Sequence, residues 1–255
     1  MSRYSYAFEC GHTTLCEYVM PSLPKTQSFT IVYAHGFCSD PWGRKPEEIK
    51  KWCLIHNVGF FRYEIAGHGS DAAHFTDTTI NTYKSQLFEI IEKVISEPIV
   101  VIGSSLGGWL ALLASCSYPS RIQGFVGLAA APDFLKTYFE NNFTPYYQNL
   151  IKERGQIEFT VDDFTYTITQ RMLDSVPGNL LLENDVIPFK GKVRLLQGLK
   201  DTSLDWRTAV SIAQKLETTD VQLRLMKASN HHLGSDDDIY AIHQILDDFL
   251  IKNDG

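Results

Sequence analysis

The stretch Ile99-Val100-Val101-Ile102-Gly103-Ser104-Ser105-Leu106-Gly107-Gly108 decides the fold. Four β-branched residues in succession favour a strand covered on both faces, since a half-exposed strand alternates with polar residues. The run ends in G-x-S-x-G and passes directly into the helix-like Leu106–Cys116. A strand that turns at once into a helix, with glycines on either side of a serine, is the sequence form of a nucleophile elbow. Gly103 and Gly107 remove side chains where two backbones must pass closely, and the helix N-terminus brings amides and the positive end of its dipole beside Ser105. An ordinary glycine-rich turn is the plainer reading of these five residues alone, so the flanking chain must decide.

Upstream, Phe29-Thr30-Ile31-Val32-Tyr33-Ala34 reads as an interior strand that stops at His35-Gly36-Phe37. A strand ending in His-Gly-apolar can direct the Phe37 amide to the point that Ser105 occupies, where the Leu106 amide also lies. His35 is expected to stabilise the turn by hydrogen bonding. His68, within Gly67-His68-Gly69-Ser70, is likewise expected to be structural. Residues 4–10 and 13–20 read as an N-terminal β-hairpin at the sheet edge, Arg44–Asn57 as a helix and Val58–Tyr63 as a strand. Thr76–Ser96 reads as one long helix starting near Thr78 or Thr79.

Downstream, Gly124–Ala130 is a strand, and after Pro132-Asp133 the strand–helix rhythm breaks. Residues 134–190 hold Phe134, Tyr138, Phe139, Phe143, Tyr146 and Tyr147 in close succession and are expected to form a small helical lid over a core of residues 1–133 and 191–255. Trp109, Phe134 and Tyr138 are expected to contact substrate, although aromatic residues also serve simply to pack a small subdomain. Val193–Gly198 resumes the sheet and runs into Asp201, with a helix over Leu204–Leu216. Val221–Met226 is the final strand and runs into His231-His232, and Asp236–Ile251 is a C-terminal helix.

Alternating strands and helices define an α/β fold with a mostly parallel sheet and helices on both faces, in which ligands bind at the carboxyl ends of the strands. Ser105, Asp201 and His231 follow three such ends. An alcohol to be acylated, an imidazole to carry its proton and a carboxylate to orient the imidazole are what nucleophilic acyl transfer needs. Asp205 is the reserve acid and His232 the alternative imidazole; a helix-starting aspartate and a surface histidine are the plainer readings of these two.

The chain has 255 residues, 44% of them hydrophobic and 21% charged, enough for one sizeable core. A net charge of -7, with no basic run interleaved with aromatics, argues against a nucleic-acid partner. No stretch has the apolar length of a signal peptide or a membrane span, so a cytoplasmic location is expected. Five cysteines without C-x-x-C spacing suit reduced thiols, and neither metal nor cofactor is expected.

With these residues in place, the chain resembles the α/β-hydrolase superfamily from about Phe29 onward, in His35-Gly36-Phe37, Gly67-His68-Gly69-Ser70, Gly103–Gly108, Gly198-Leu199-Lys200-Asp201 and Asn230-His231. Tyr33–Asp40, Gly103–Ala114, Gly127–Phe134 and Val193–Asp201 are similar to the branch that holds palmitoyl-protein thioesterase and acyl-glucuronide esterase of the mycophenolic acid type. That resemblance implies Ser105, Asp201 and His231 as catalytic triad, Phe37 and Leu106 as oxyanion donors, and small thioesters or activated oxyesters of acyl groups as substrates. Asp205 stands where the family commonly has a proline near the acid loop, and the lid carries no motif for a particular acyl group. Two other readings keep the scaffold: hydrolysis of a C–C or peptide bond by the same triad, and a non-catalytic module that binds an acyl ligand or a partner.

Overall fold

A computed structural model describes residues 3–21, 29–161 and 164–250. Its centre is an eight-stranded sheet of β1 (Tyr4–Ala7), β2 (Thr13–Val19), β3 (Thr30–Ala34), β4 (Gly59–Tyr63), β5 (Ile99–Ser104), β6 (Ile122–Leu128), β9 (Lys192–Gly198) and β10 (Val221–Met226), in the order β1-β2-β4-β3-β5-β6-β9-β10. β1 and β2 form the expected antiparallel hairpin at one edge, β2 pairs antiparallel with β4, and all other neighbours are parallel.

The apolar run of β5 is divided between two cores, as period-two side chains require. Ile99 and Val101 join the core packed by α2 (Ile80–Glu89) and α3 (Leu106–Ser117). Val100 and Ile102 join the opposite core, packed by α1 (Arg44–His56) and α8 (Asp236–Asp247). α7 (Arg207–Lys215) buries Ile212 in the first of these cores. The chain runs from β3 to β4 on one side and then crosses back to β5 on the other, and this change of direction opens a crevice beyond the carboxyl ends of the strands.

Three expected elements come out differently. Thr76–Ser96 is not one helix: a 3₁₀ segment over Gly69–Asp77 precedes α2, which closes in a π-helical turn over Ile90–Val94. The break is local hydrogen bonding. Thr78 Oγ1 donates to the Phe75 carbonyl at 2.7 Å, while Thr79 Oγ1 accepts from the Thr82 amide and caps α2. α7 starts at Arg207, not Leu204, because the Asp201 and Asp205 carboxylates take up the amides of Ser203, Leu204 and Arg207.

The segment between β6 and β9 is not wholly helical. It contains α4 (Phe134–Asn142), α5 (Pro145–Arg154), the antiparallel hairpin of β7 (Gln156–Val161) and β8 (Phe164–Thr169), and the short α6 (Gln170–Asp174). β7 alternates Ile157, Phe159 and Val161 with polar residues, and β8 alternates Phe164, Tyr166 and Ile168 with threonines, so the period-two signal is present in the chain, next to the aromatic run that drew the helical reading. Gly155, with φ of 76°, ends α5 and admits the reversal into β7. The base of the segment is fastened to the core. The buried Asp133 carboxylate accepts the Leu181 and Leu182 amides at 2.9 and 2.7 Å, and Asn179 accepts Lys84 Nζ at 2.6 Å.

Candidate active site

Ser105 lies at the carboxyl end of β5 with φ 54° and ψ -118°, a conformation that costs a non-glycine residue energy and therefore has to be held by its surroundings. The holding bonds are visible. The Ser105 amide donates to the Leu128 carbonyl at 3.1 Å, and its own carbonyl accepts from Gly108 and Ala131 at 2.9 and 3.1 Å. A Cβ on Gly103 would stand 2.2 Å from the Gly107 carbonyl oxygen, and one on Gly107 would stand 2.1 Å from that of Ala34. The elbow closes only with both glycines.

The Ser105 hydroxyl is 3.0 Å from His231 Nε2, and His231 Nδ1 is 2.7 Å from Asp201 Oδ2. These contacts span 126 and 30 residues of chain. Asp201 has no exposed side-chain surface, whereas His231 keeps 23% of its own, so the imidazole is open toward the crevice and the acid is sealed behind it. Gln197 Nε2 also donates to Asp201 Oδ2, and the Ser203 and Leu204 amides donate to Oδ1. Burial alone would raise the Asp201 pKa, but the bond and charge of His231, with the Gln197 and Leu204 bonds, hold it below the usual carboxylate value. A carboxylate in that position accepts Nδ1–H and leaves Nε2 able to accept from the serine hydroxyl.

The His231 loop is pinned by Asp238 in the first turn of α8. Its carboxylate accepts from Ser229 on one side of the loop and from the Ser235 amide and hydroxyl on the other. The reserve residues are elsewhere engaged. Asp205, just ahead of α7, accepts the Arg207 amide at 2.9 Å, and exposed His232 turns its amide to Asn230 Oδ1.

Leu106 opens α3, where the first amides have no intrahelical acceptor. Gly36 packs against Ser105: a Cβ there would be 3.3 Å from the serine Cβ, which sets the His35-Gly36-Phe37 turn beside the hydroxyl. Among the described residues no acceptor is found for the Phe37 amide. His35 and His68 are both buried and hydrogen-bonded at both ring nitrogens.

Of the aromatic residues expected to contact substrate, Phe134 reaches the crevice, with its ring centroid 5.8 Å from that of Phe37. Trp109 is fully buried; it meets Phe134 edge-on and donates its indole N–H to the Asn179 carbonyl at 2.8 Å, which braces the base of the 134–190 segment. Tyr138 packs edge-on against Phe143. Two residues that sequence reading missed join Phe37: Phe75 at 5.5 Å from the 3₁₀ segment, and Tyr166 of β8, stacked at 6.1 Å with 12° between the rings. Tyr166 stood in an alternating strand pattern that marks it; Phe75 had no such signal. Among the described residues no three His, Cys, Asp or Glu side chains are grouped to hold a metal ion.

Residues 31–250 match the model of the alpha/beta hydrolase family. The chain belongs to that family. It is 28% identical over 260 residues to a bovine (Bos taurus) relative named palmitoyl-protein thioesterase ABHD10, mitochondrial, covering 95% of this chain and 82% of the relative. The structure of alpha/beta hydrolase domain-containing protein 10 from mouse superposes with a TM-score of 0.86 at 24% identity, covering 98% of each chain. That of a putative hydrolase from Agrobacterium vitis superposes with a TM-score of 0.89 at 22% identity, covering 97% of this chain and 99% of the other. No described helix is long and apolar enough to cross a membrane.

Proposed function

We propose that this chain hydrolyses thioesters or carboxylic esters of acyl groups through an acyl-enzyme on Ser105. The observation that carries the reading is the continuous chain of hydrogen bonds Ser105–His231–Asp201, at 3.0 and 2.7 Å, on a backbone turn strained enough to lift the serine from the strand. His231 Nε2 takes the hydroxyl proton as Ser105 Oγ attacks the acyl carbonyl, and the Phe37 and Leu106 amides donate to the oxygen that becomes negative. Collapse of that intermediate breaks the bond to the leaving group, which departs as thiol or alcohol with the proton from His231. Water then repeats the sequence: His231 removes its proton, the oxygen bonds to the acyl carbon, and Ser105 recovers its proton as the acid is released.

Residues 134–190 form the lid in this reading, with Phe134 and Tyr166 facing the acyl group beside Phe37. The inclusion of thioesters is supported by the bovine relative named a palmitoyl-protein thioesterase. Five free cysteines suit a reducing aqueous compartment; the cytoplasm expected from sequence is one, and the mitochondrion named for that relative is another.

The test is a substrate panel in which acyl length is varied across p-nitrophenyl esters and acyl thioesters, alongside a dione and an aminoacyl amide, with Ser105→Ala as background. Turnover confined to the ester and thioester arms, and absent from the variant, is the expected result. Turnover only of the dione or the amide overturns the assigned bond, and turnover of nothing overturns the reading as a whole.

A further inference from the structure

Two peptide units flank Phe37, and a different buried imidazole holds each. In the unit before it, the Gly36 carbonyl lies 2.8 Å from His35 Nδ1. In the unit after it, the Cys38 amide donates to His68 Nε2 at 3.1 Å. Each ring is tied at its other nitrogen to the chain following β4: His35 Nε2 accepts from the Ile65 amide at 2.8 Å, and His68 Nδ1 faces the Ala66 carbonyl at 3.0 Å.

These bonds settle both tautomers. A nitrogen that accepts an amide N–H carries no proton, so in each ring Nδ1 is the protonated nitrogen and donates to its carbonyl. His35 has no exposed surface and His68 has 4%, and their ring centroids are 5.2 Å apart. Burial, with His68 nearby, pushes the His35 pKa down to about 3, and burial lowers that of His68. Neither ring is arranged to exchange protons with substrate.

The consequence falls on the Phe37 amide. In a trans peptide the carbonyl and the N–H point in opposite directions, so fixing the Gly36 carbonyl fixes the direction of the Phe37 N–H. The next residue, Cys38, has φ of 51°, a left-handed conformation that the turn must hold against its preference. The His68 bond to the Cys38 amide does so. Gly36 lies against Ser105, so the aim of this amide is set within reach of the hydroxyl.

We infer that His35 and His68 are paired positioning residues that lock both peptide units around Phe37 and so aim its amide at the developing oxyanion. This rests on the proposal that the Phe37 amide is an oxyanion donor. The two residues touch no reacting atom; they act through the loop.

The test compares His68→Phe, His68→Gln and His68→Asn with wild type in steady-state hydrolysis of p-nitrophenyl butyrate, with thermal unfolding measured in parallel. Gln can place Oε1 where Nε2 stood and accept the Cys38 amide, whereas Asn is too short and Phe has no acceptor. A misaimed donor should lower kcat about 100-fold with little change in KM in H68F and H68N. H68Q should recover most of that loss.

Equal kcat in folded H68F and wild type overturns the inference, as does an equal loss in H68Q and H68N or a change confined to KM. If H68F does not fold, the H68Q and H68N pair gives the same decision. A wild type that neither turns over ester nor reacts with a fluorophosphonate removes the hydrolase reading itself, and this inference with it. An active wild type with an equally active H68F removes this inference alone.

Discussion

Ser105 and Tyr166 face the same crevice but are held in different ways. Ser105 stands at the end of a strand buried on both faces, with backbone bonds to Leu128, Gly108 and Ala131 and its hydroxyl on His231. Tyr166 stands on a two-stranded hairpin outside the main sheet and meets the crevice through ring contact with Phe37. The contrast extends to the surroundings. The core beneath Ser105 is closed, while α5 leaves Tyr146 and Tyr147 67% and 42% exposed. The 134–190 segment packs Ile151, Ile157, Ile168 and Met172 into the core that also holds Val101 and is tied at its base through Asp133 and Asn179; the proposed division gives the reacting groups to the main sheet and the acyl contacts to this segment.

If that division is right, damage to the rigid region should destroy rate and damage to the segment should retune selectivity. The largest effect belongs to His231→Ala, expected to lower kcat about 10⁶-fold by analogy with loss of a triad histidine elsewhere. A loss below about tenfold by the same measure would mean that the imidazole is not the base. Asp201→Asn keeps the shape but invites the wrong histidine tautomer, and about 10⁴-fold is expected in kcat. Unchanged rates with an intact fold would assign the carboxylate a purely structural role.

Stability against pH probes the same region independently of turnover. His35 has a folded pKa of about 3, below the roughly 6.5 of an unfolded histidine, so on acidification the unfolded chain takes up this proton first. The contribution is fully present above about pH 6.5 and is lost as pH falls toward 3, by up to about 1.4 kcal/mol per pH unit. Urea unfolding between pH 7 and pH 5 should therefore show a shallower decline in His35→Gln than in wild type. Parallel declines would mean that other groups carry the acid sensitivity.

On the segment side, Phe134→Ala should raise KM for the longest acyl chains about tenfold and leave short-chain kcat nearly unchanged. A uniform loss of kcat across chain lengths would place Phe134 on the rigid side of the comparison. The smallest effect is expected for Asp205→Ala, which loses the bond to the Arg207 amide, worth about 1 kcal/mol, and changes kcat by less than about twofold. A larger loss of rate would bring Asp205 into the acid's role.

The same division governs how much of the molecule could be read from the chain. The apolar run of β5, the alternation of strands and helices, and the order of Ser105, Asp201 and His231 are local patterns whose spacing survives folding, so the sheet and the residues meeting in the crevice were legible. The break at Thr78 and Thr79 was not, because two threonine hydroxyls compete with helix hydrogen bonds that the apolar spacing favours. Phe75 carried no signal, and for Tyr166 the alternating pattern marks only the strand, because the meeting of both rings with Phe37 is long-range packing between separate elements. Trp109 carried a substrate-contacting expectation, but its indole is spent on the Asn179 carbonyl, 70 residues away.

Peptide mapping of the chain after reaction with a fluorophosphonate tests the central claim most directly. Two adjacent serines make the result specific: Ser105 bonds to His231, whereas Ser104 accepts from Lys45 Nζ at 2.9 Å. The adduct is expected on Ser105, forming rapidly in wild type and far more slowly in His231→Ala. An adduct on Ser104, or none on either serine in folded protein, would contradict the account.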